Sequence, residues 1–254
     1  MRVNDPTRIG WCEAAFSSSP GLRSTEPKFS IQRETHKMTS YASRRAAMVE
    51  EQLVPRGIRD PLVLAAMGAV ARELFVPADQ AAYAYQDRPL PIENGQTISQ
   101  PYIVAFMAEA ASIGPDDRIL EIGTGSGYAA AVLANIAARV YTIERHPALA
   151  ESAREKLATL GYGNALVVVG DGTLGLPEEA PFDAILATAS GPDVPAPLKE
   201  QLAIGGRLVM PVERRRGHQQ LVVVERLIDD EYLEEAVLGV AFVPLIGEHG
   251  HPEH

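Results

Sequence analysis

Among 254 residues there is a single cysteine, Cys12. That excludes an intramolecular disulfide and any site built on paired thiolates, and it suits a reducing compartment, so the chain reads as cytoplasmic. Long apolar runs are missing too. The longest, such as LVLAAMGAVA and YAAAVLANIAA, fall short of the roughly 18 to 20 residues that cross a bilayer, and no membrane partner is expected. Positive charge is scarce beyond the start of the chain. Residues 1–45 carry eight Lys/Arg against four Asp/Glu, a balance of +4, which leaves −14 for the rest of the formal −10. An acidic body repels a phosphate backbone, so nucleic acid is not an expected partner. No HExxH, P-loop or GxSxG pattern occurs, and no internal repeat or low-complexity segment is present.

Residues 1–38 scatter Ser, Pro, Arg and Glu without periodicity and read as a disordered extension. They hold no apolar stretch of signal-peptide type, and their acidic residues argue against a transit peptide. A translation start at Met38 or Met48 is a corollary, which a natively expressed peptide spanning Gly21 to Arg33 would contradict. Residues 39–254 read as a single domain. A helix is expected over 41–53, closed by PRG, and another in RDPLVLAAMGAV, with Asp60 as N-cap and Pro61 at its first position. RPLPI is held extended by its prolines, the polar run ENGQTISQP follows, and YIVAFMAEAA has apolar residues at helical spacing. Ser99 stands before that helix as its expected cap.

From Arg118 the chain alternates short β-rich runs with helical segments: RILEI, RVYTIE, ALVVVG, FDAILATA and GGRLVMPV, with helices from Tyr128 and through about Leu160. Such alternation predicts a doubly wound, mostly parallel α/β sheet of Rossmann-like type, preceded here by the N-terminal helices. QQLVVVERLI and LEEAVLGVAFVPLI, joined by a DDEY turn, add an antiparallel edge.

The strongest local signal is LEIGTGSGY, where a strand reaches Glu121 and passes through Gly123, Gly125 and Gly127 into a helix. Glycines let backbone turn sharply and approach a ligand. The spacing is GxGxG, whereas dinucleotide folds favour GxGxxG. Glu144 closes the next strand 17 residues beyond Gly127, where a carboxylate can accept two ribose hydroxyls, as in both NAD and S-adenosylmethionine sites. GDG (Gly170 to Gly172), PFDAILATA and LAIGGRLVMPV follow in order. Taken singly, Glu144 could be a solvated strand end and Asp171 a turn former.

In this order the pieces resemble the class I S-adenosylmethionine-dependent methyltransferases. The resemblance implies that S-adenosylmethionine is the cofactor, with S-adenosylhomocysteine its product and no metal. It implies that the Gly123–Gly127 turn, with Glu121 before it, lies under the methionine part, that Glu144 holds the ribose, and that Asp171 and Gly172 flank the adenine. GQTISQP upstream and FVPLIG near the end narrow the resemblance, over about Ala46 to Gly247, to the protein-L-isoaspartate O-methyltransferase family. Members methylate the α-carboxylate of L-isoaspartyl residues in damaged proteins and peptides, and the ester collapses to a succinimide that can reopen as aspartate. By the same resemblance Ser99 and Thr97 are the catalytic residues, with Gln96, Ile98 and Ser99 bordering the cofactor. Position 104 is Val where some eukaryotic members have His, and TASGPDVP departs from the pattern after the fourth strand, which bears on one wall of the substrate cleft. HGHPEH reads as a loose tail rather than a metal site.

The chemistry is consistent with these residues. An α-carboxylate, with a pKa of roughly 3.5, is ionised at neutral pH and needs no general base; neither His146 nor His218 is placed like one. What it needs is alignment and exclusion of water. A helix starting after Ser99 would offer free N–H groups, with the Thr97 and Ser99 hydroxyls beside them, as an anion site. Two alternatives stand beside this reading: a methyltransferase of the same fold acting on a small molecule or RNA, and a non-catalytic cofactor-binding module.

Overall fold

Helix-forming segments come first in the chain and pack ahead of the sheet. The computed structural model describes residues 40–253 except 216, 229 and 230; the extension expected over residues 1–38 lies outside the described residues. The expected helix over 41–53 takes two forms in succession before it ends in a 3-10 turn. α1 (Tyr41–Ala47) passes into a π-helical turn, Met48–Leu53, then a 3-10 turn, Val54–Arg56, and ends where Gly57 adopts φ 101°. Met48 and Leu53, one π turn apart, are both fully buried, a spacing that the wider turn aligns. α2 (Pro61–Ala69) begins as its sequence predicts. The Asp60 carboxylate accepts from the N–H groups of Leu62 and Val63 at 2.7 and 3.2 Å, and Pro61 occupies the first position, where no N–H is needed.

RPLPI and ENGQTISQP together form a short antiparallel pair, β1 (Leu90–Pro91) with β2 (Thr97–Ile98), turned by Glu93–Gly95 with Asn94 at φ 55°. α3 (Pro101–Ala110) follows. Next come β3 (Arg118–Ile122), α4 (Tyr128–Ala134), β4 (Arg139–Glu144), α5 (Pro147–Thr159), β5 (Ala165–Val169), β6 (Phe182–Ala187), α6 (Ala196–Glu200), β7 (Leu202–Arg215), β8 (His218–Arg226) and β9 (Tyr232–Val240). The seven strands from β3 onward form one sheet in the order β5-β4-β3-β6-β7-β8-β9. The pairs from β5 to β7 are parallel, and β7-β8 and β8-β9 are antiparallel. This is the expected doubly wound sheet with an antiparallel edge.

Burial explains why the central strands read as continuous apolar runs. β3, β4 and β6 are covered on both faces, whereas the outermost strand β5 leaves Leu166 and Val169 exposed. Alternation sends Ile119 into the core under the N-terminal helices, α3 and α4, and sends Leu120 and Ile122 into the opposite core with Phe182 and Leu198.

The last expected strand is shorter than its apolar pattern. LEEAVLGVAFVPLI leaves the sheet after Val240, because the Gln219 side chain takes the place of a neighbouring strand. It donates to the Phe242 carbonyl at 3.1 Å and accepts the Phe242 N–H at 2.6 Å. The chain then turns back over the carboxyl ends of the strands, where Ser190 donates to the Val243 carbonyl and accepts from the Leu245 N–H, both at 2.8 Å.

Candidate active site

The carboxyl ends of β3, β4 and β6 face one cleft, and the first of them is shaped by glycine. Gly123, Gly125 and Gly127 have φ of 95°, 51° and 86°, a region where a side chain is strained. Space matters as much at the first position: a Cβ on Gly123 would stand 2.4 Å from Thr188 Oγ1. That hydroxyl is fixed, since it donates to the carbonyls of Ile122 and Gly123 at 3.1 and 2.9 Å.

Glu144, at the end of β4, closes over the same turn. It is 5% exposed; its Oε2 accepts the Gly125 N–H at 2.9 Å and its Oε1 the His146 N–H at 3.0 Å. Two backbone donors therefore hold the carboxylate in one orientation, with acceptor capacity left on each oxygen. This arrangement fits the diol of a nucleoside.

The inner cleft is lined by Gln96, Thr97, Ile98 and Ser99 on one side and by Gly123, Gly125, Glu144 and Gly172 on the other. Residues from the polar run, the glycine turn, the second strand end and GDG are thus brought together. Gly172 packs so closely on Ile122 that a Cβ there would meet its Cγ2 at 2.3 Å. An outer cleft of about 1330 Å³ adjoins it, bounded by Arg56, Tyr102, His218 and the end of β9. Thr97, Ser99, Thr188 and Val243 line both clefts. The Thr97 and Ser99 hydroxyls make no hydrogen bond to any described residue.

Three residues expected at the cofactor are not among those that line the inner cleft. Gly127 does not line the cleft; it occupies the N-cap of α4 against Ala153 and Leu157. Glu121 is fully buried on the face of β3 that it shares with Ile119, by strand alternation. Asp171 is occupied as a structural acceptor. Its Oδ1 accepts the N–H and hydroxyl of Thr173 at 2.8 and 2.7 Å, and its Oδ2 accepts the Glu248 N–H at 2.7 Å. These donors hold its carboxyl below the usual carboxylate range against the opposing effect of burial.

The same contacts correct the reading of HGHPEH as a loose tail. The His249 N–H donates to Thr173 Oγ1 at 3.1 Å, the His251 N–H to the Leu245 carbonyl at 2.7 Å, and Arg145 pairs with Glu253. The described part of the tail is therefore a strap, and just before it Val243, Leu245 and Ile246 line the inner cleft.

The cap of α3 also differs from expectation. Gln100 holds the N-cap position without a side-chain bond, and Ser99 precedes it. The Tyr102 N–H donates instead to Asp87 Oδ1 at 2.9 Å, from fifteen residues upstream, while the N–H groups of Ile103 and Val104 both reach the Gln100 carbonyl. Asp87 pairs in turn with Arg56, whose guanidinium lies 3.4 Å from the Tyr102 ring centroid. The helix start already faces a carboxylate, so it does not supply the free N–H anion site expected of it.

Thr188 was not singled out from the sequence. Its signal is a hydroxyl residue just past the end of the parallel strand that neighbours the glycine turn. Asp87 gave no such signal, since its partner is distant in sequence.

Comparison with known proteins agrees with this geometry. The sequence model described as protein-L-isoaspartate(D-aspartate) O-methyltransferase matches residues 43–250. Protein-L-isoaspartate O-methyltransferase 2 of Pelobacter propionicus is 57% identical over 207 residues, 82% of this chain and 92% of that protein. The protein-L-isoaspartate O-methyltransferase of Brucella anthropi is 51% identical over 216 residues, covering 85% and 99%. A solved protein-L-isoaspartate O-methyltransferase superposes with a TM-score of 0.73 at 27% identity, over 83% of this chain and 67% of the other. A Plasmodium falciparum structure described as a candidate member, in complex with S-adenosyl-L-homocysteine, gives 0.68 at 26%, over 80% and 98%. With its glycine turn, its sheet order and this degree of identity, the chain belongs to the protein-L-isoaspartate(D-aspartate) O-methyltransferase family.

Proposed function

We propose that this protein transfers a methyl group from S-adenosylmethionine to the α-carboxylate of L-isoaspartyl residues in damaged proteins and peptides, the first step of their repair. The observation that carries the reading is the junction of two clefts at Thr97, Ser99, Thr188 and Val243. The inner cleft has the fittings of a nucleoside site. The outer one, at about 1330 Å³, is larger than the roughly 300 to 1,000 Å³ typical of small-molecule sites and suits a polypeptide segment.

Glu144 would hold the ribose of the cofactor, Gly123 and Gly125 would let it approach the backbone, and Gly172 would border the base, with Gln96 and Ile98 completing the wall. When bound, S-adenosylmethionine supplies a sulfonium methyl group. The chain's own residues then have two tasks. Thr97 and Ser99 offer unengaged hydroxyls to orient the substrate carboxylate, which is ionised at neutral pH and needs no base. Val243, Ile98 and Leu245 exclude water, which an anionic nucleophile must lose before it attacks in line. Asp171 and Gly127 are assigned to the fold of the site rather than to contact with the cofactor.

The reading extends to residues 39–254 as one methyltransferase domain acting in the cytoplasm. No helix among the described residues is long and apolar enough to cross a membrane.

The product identifies the activity. An isoaspartyl peptide incubated with the protein and cofactor should gain one methyl group as an ester, which mild alkali removes; a methyl group stable to alkali, or one placed on RNA instead, would overturn the reading. Ser99→Ala separates its two roles. It should lower kcat by about tenfold, the loss of one or two hydrogen bonds to a charged group, while the affinity for S-adenosylhomocysteine stays within about twofold. A change in thermal stability alone would assign Ser99 to the fold.

A further inference from the structure

Beneath Ser99 lies a small recess between the sheet and the helices above it, lined by Ser99 and Thr188 together with Glu121, Val104, Ala129 and Leu186. Its volume of about 10 Å³ is roughly that of one water-sized sphere. Glu121 contributes the acidic side chain of this lining, and it is fully buried. One of its oxygens is occupied: Oε2 accepts the Thr142 hydroxyl at 2.6 Å, and Thr142 is joined to Thr124 at 2.7 Å. The other, Oε1, is buried and has no hydrogen-bond partner among the described residues. A buried polar atom without a partner is costly, and a recess of this size, mostly apolar but bordered by Ser99 and Thr188 as well as Glu121, is a place for one bound water.

We propose that Glu121 is a positioning residue: through one water held in this recess, its carboxyl group fixes the Ser99 hydroxyl at the junction of the two clefts. The inference rests on the proposed substrate-side role of Ser99. It differs from cofactor binding, since Glu121 does not reach the inner cleft.

The protonation state follows from the surroundings. Among the described residues no cation lines the recess with Glu121, and the side chains of α3, α4 and β6 there are Val104, Met107, Ala129, Leu133 and Leu186, all apolar. Burial pushes its carboxyl up to about 8, the Thr142 hydroxyl opposes this, and the charge of Glu144, the ionisable neighbour that acts on it, adds to the rise. At neutral pH the group is therefore an acid, with Oε1 free to donate towards the water. Ionised, it could only accept, and its charge would oppose a substrate carboxylate at the junction. The same shift affects folding. Below the ordinary carboxylate range the folded and unfolded chains both hold this proton, and as the pH rises through about 8 the stability that depends on it is lost.

Two variants and a structure test the proposal. Glu121→Gln keeps a neutral donor, so its kcat at pH 7 should stay within about threefold of the parent, without the parent's fall in kcat above pH 8. Its melting temperature should also decline less between pH 5 and 9. Glu121→Leu should lower kcat about tenfold with the affinity for S-adenosylhomocysteine unchanged. The same alkaline fall in Glu121→Gln, or parental kcat in Glu121→Leu, would overturn the proposal. An atomic-resolution crystal structure of the protein with S-adenosylhomocysteine does not depend on turnover. It should show one water within hydrogen-bond distance of both Glu121 Oε1 and Ser99 Oγ, and a recess without that water overturns the proposal. If the water is present but no isoaspartyl peptide is methylated, the functional reading fails and the link stands.

Discussion

Gly123→Ala is expected to remove nearly all methyl transfer and to lower the melting temperature by roughly 6 to 15 °C. Two effects combine. At φ 95° a side chain is strained by about 1 to 2 kcal/mol. The added Cβ also stands 2.4 Å from Thr188 Oγ1, so this hydroxyl must withdraw the one proton it shares between the carbonyls of Ile122 and Gly123, and the groups left unmatched cost about 2 kcal/mol. Together they come to roughly 3 to 4 kcal/mol. Because Thr188 lines both clefts and the recess under Ser99, its displacement reaches the transfer site directly. Gly125→Ala is the internal control. Its φ of 51° is that of an ordinary left-handed residue, and its Cβ would meet Ile92 Cδ1 at 3.5 Å, a normal contact. It should cost about 1 kcal/mol, and a larger loss than Gly123→Ala in thermal denaturation would contradict the steric account.

Glu144→Ala should weaken cofactor binding about a hundredfold, with a smaller effect on folding. The carboxylate accepts from Gly125 and His146, and its removal would also take away the acceptors proposed for the ribose diol. Charge-assisted hydrogen bonds contribute about 1.5 to 3 kcal/mol each, so losing one or two from the ligand predicts a change in Kd of roughly a hundredfold. Glu144→Gln keeps the shape and one acceptor, so its loss should be nearer tenfold. Calorimetry with S-adenosylhomocysteine measures both, and unchanged affinity in Glu144→Ala would exclude the ribose assignment.

What could be read from the sequence follows the range of the interactions involved. RILEI, RVYTIE and FDAILA are buried on both faces and carry their apolar pattern locally, so the parallel sheet was legible. The glycine turn was legible because backbone conformation restricts the residue type at each position. The Asp60 cap was legible because it acts within three residues. By contrast, α3 is capped by Asp87 from fifteen residues upstream, and nothing near Ser99 announces this. The C-terminal strap is held by Asp171 from 77 positions away; its polar, His-rich composition resembles that of an unanchored tail. Glu121 is the instructive case. The family resemblance assigned it to the cofactor, while alternation along β3 puts it on the face of Ile119, where Thr142 links it to Thr124 of the glycine turn.

On the proposed reading, the junction at Ser99 receives the carboxylate of an isoaspartyl link. The most direct test supplies the protein with labelled S-adenosylmethionine and two peptides of identical sequence, one with L-isoaspartate and one with L-aspartate at the same position. Label in an alkali-labile ester on the isoaspartyl peptide alone is the predicted result. Equal labelling of the two peptides, or labelling of neither, would contradict it.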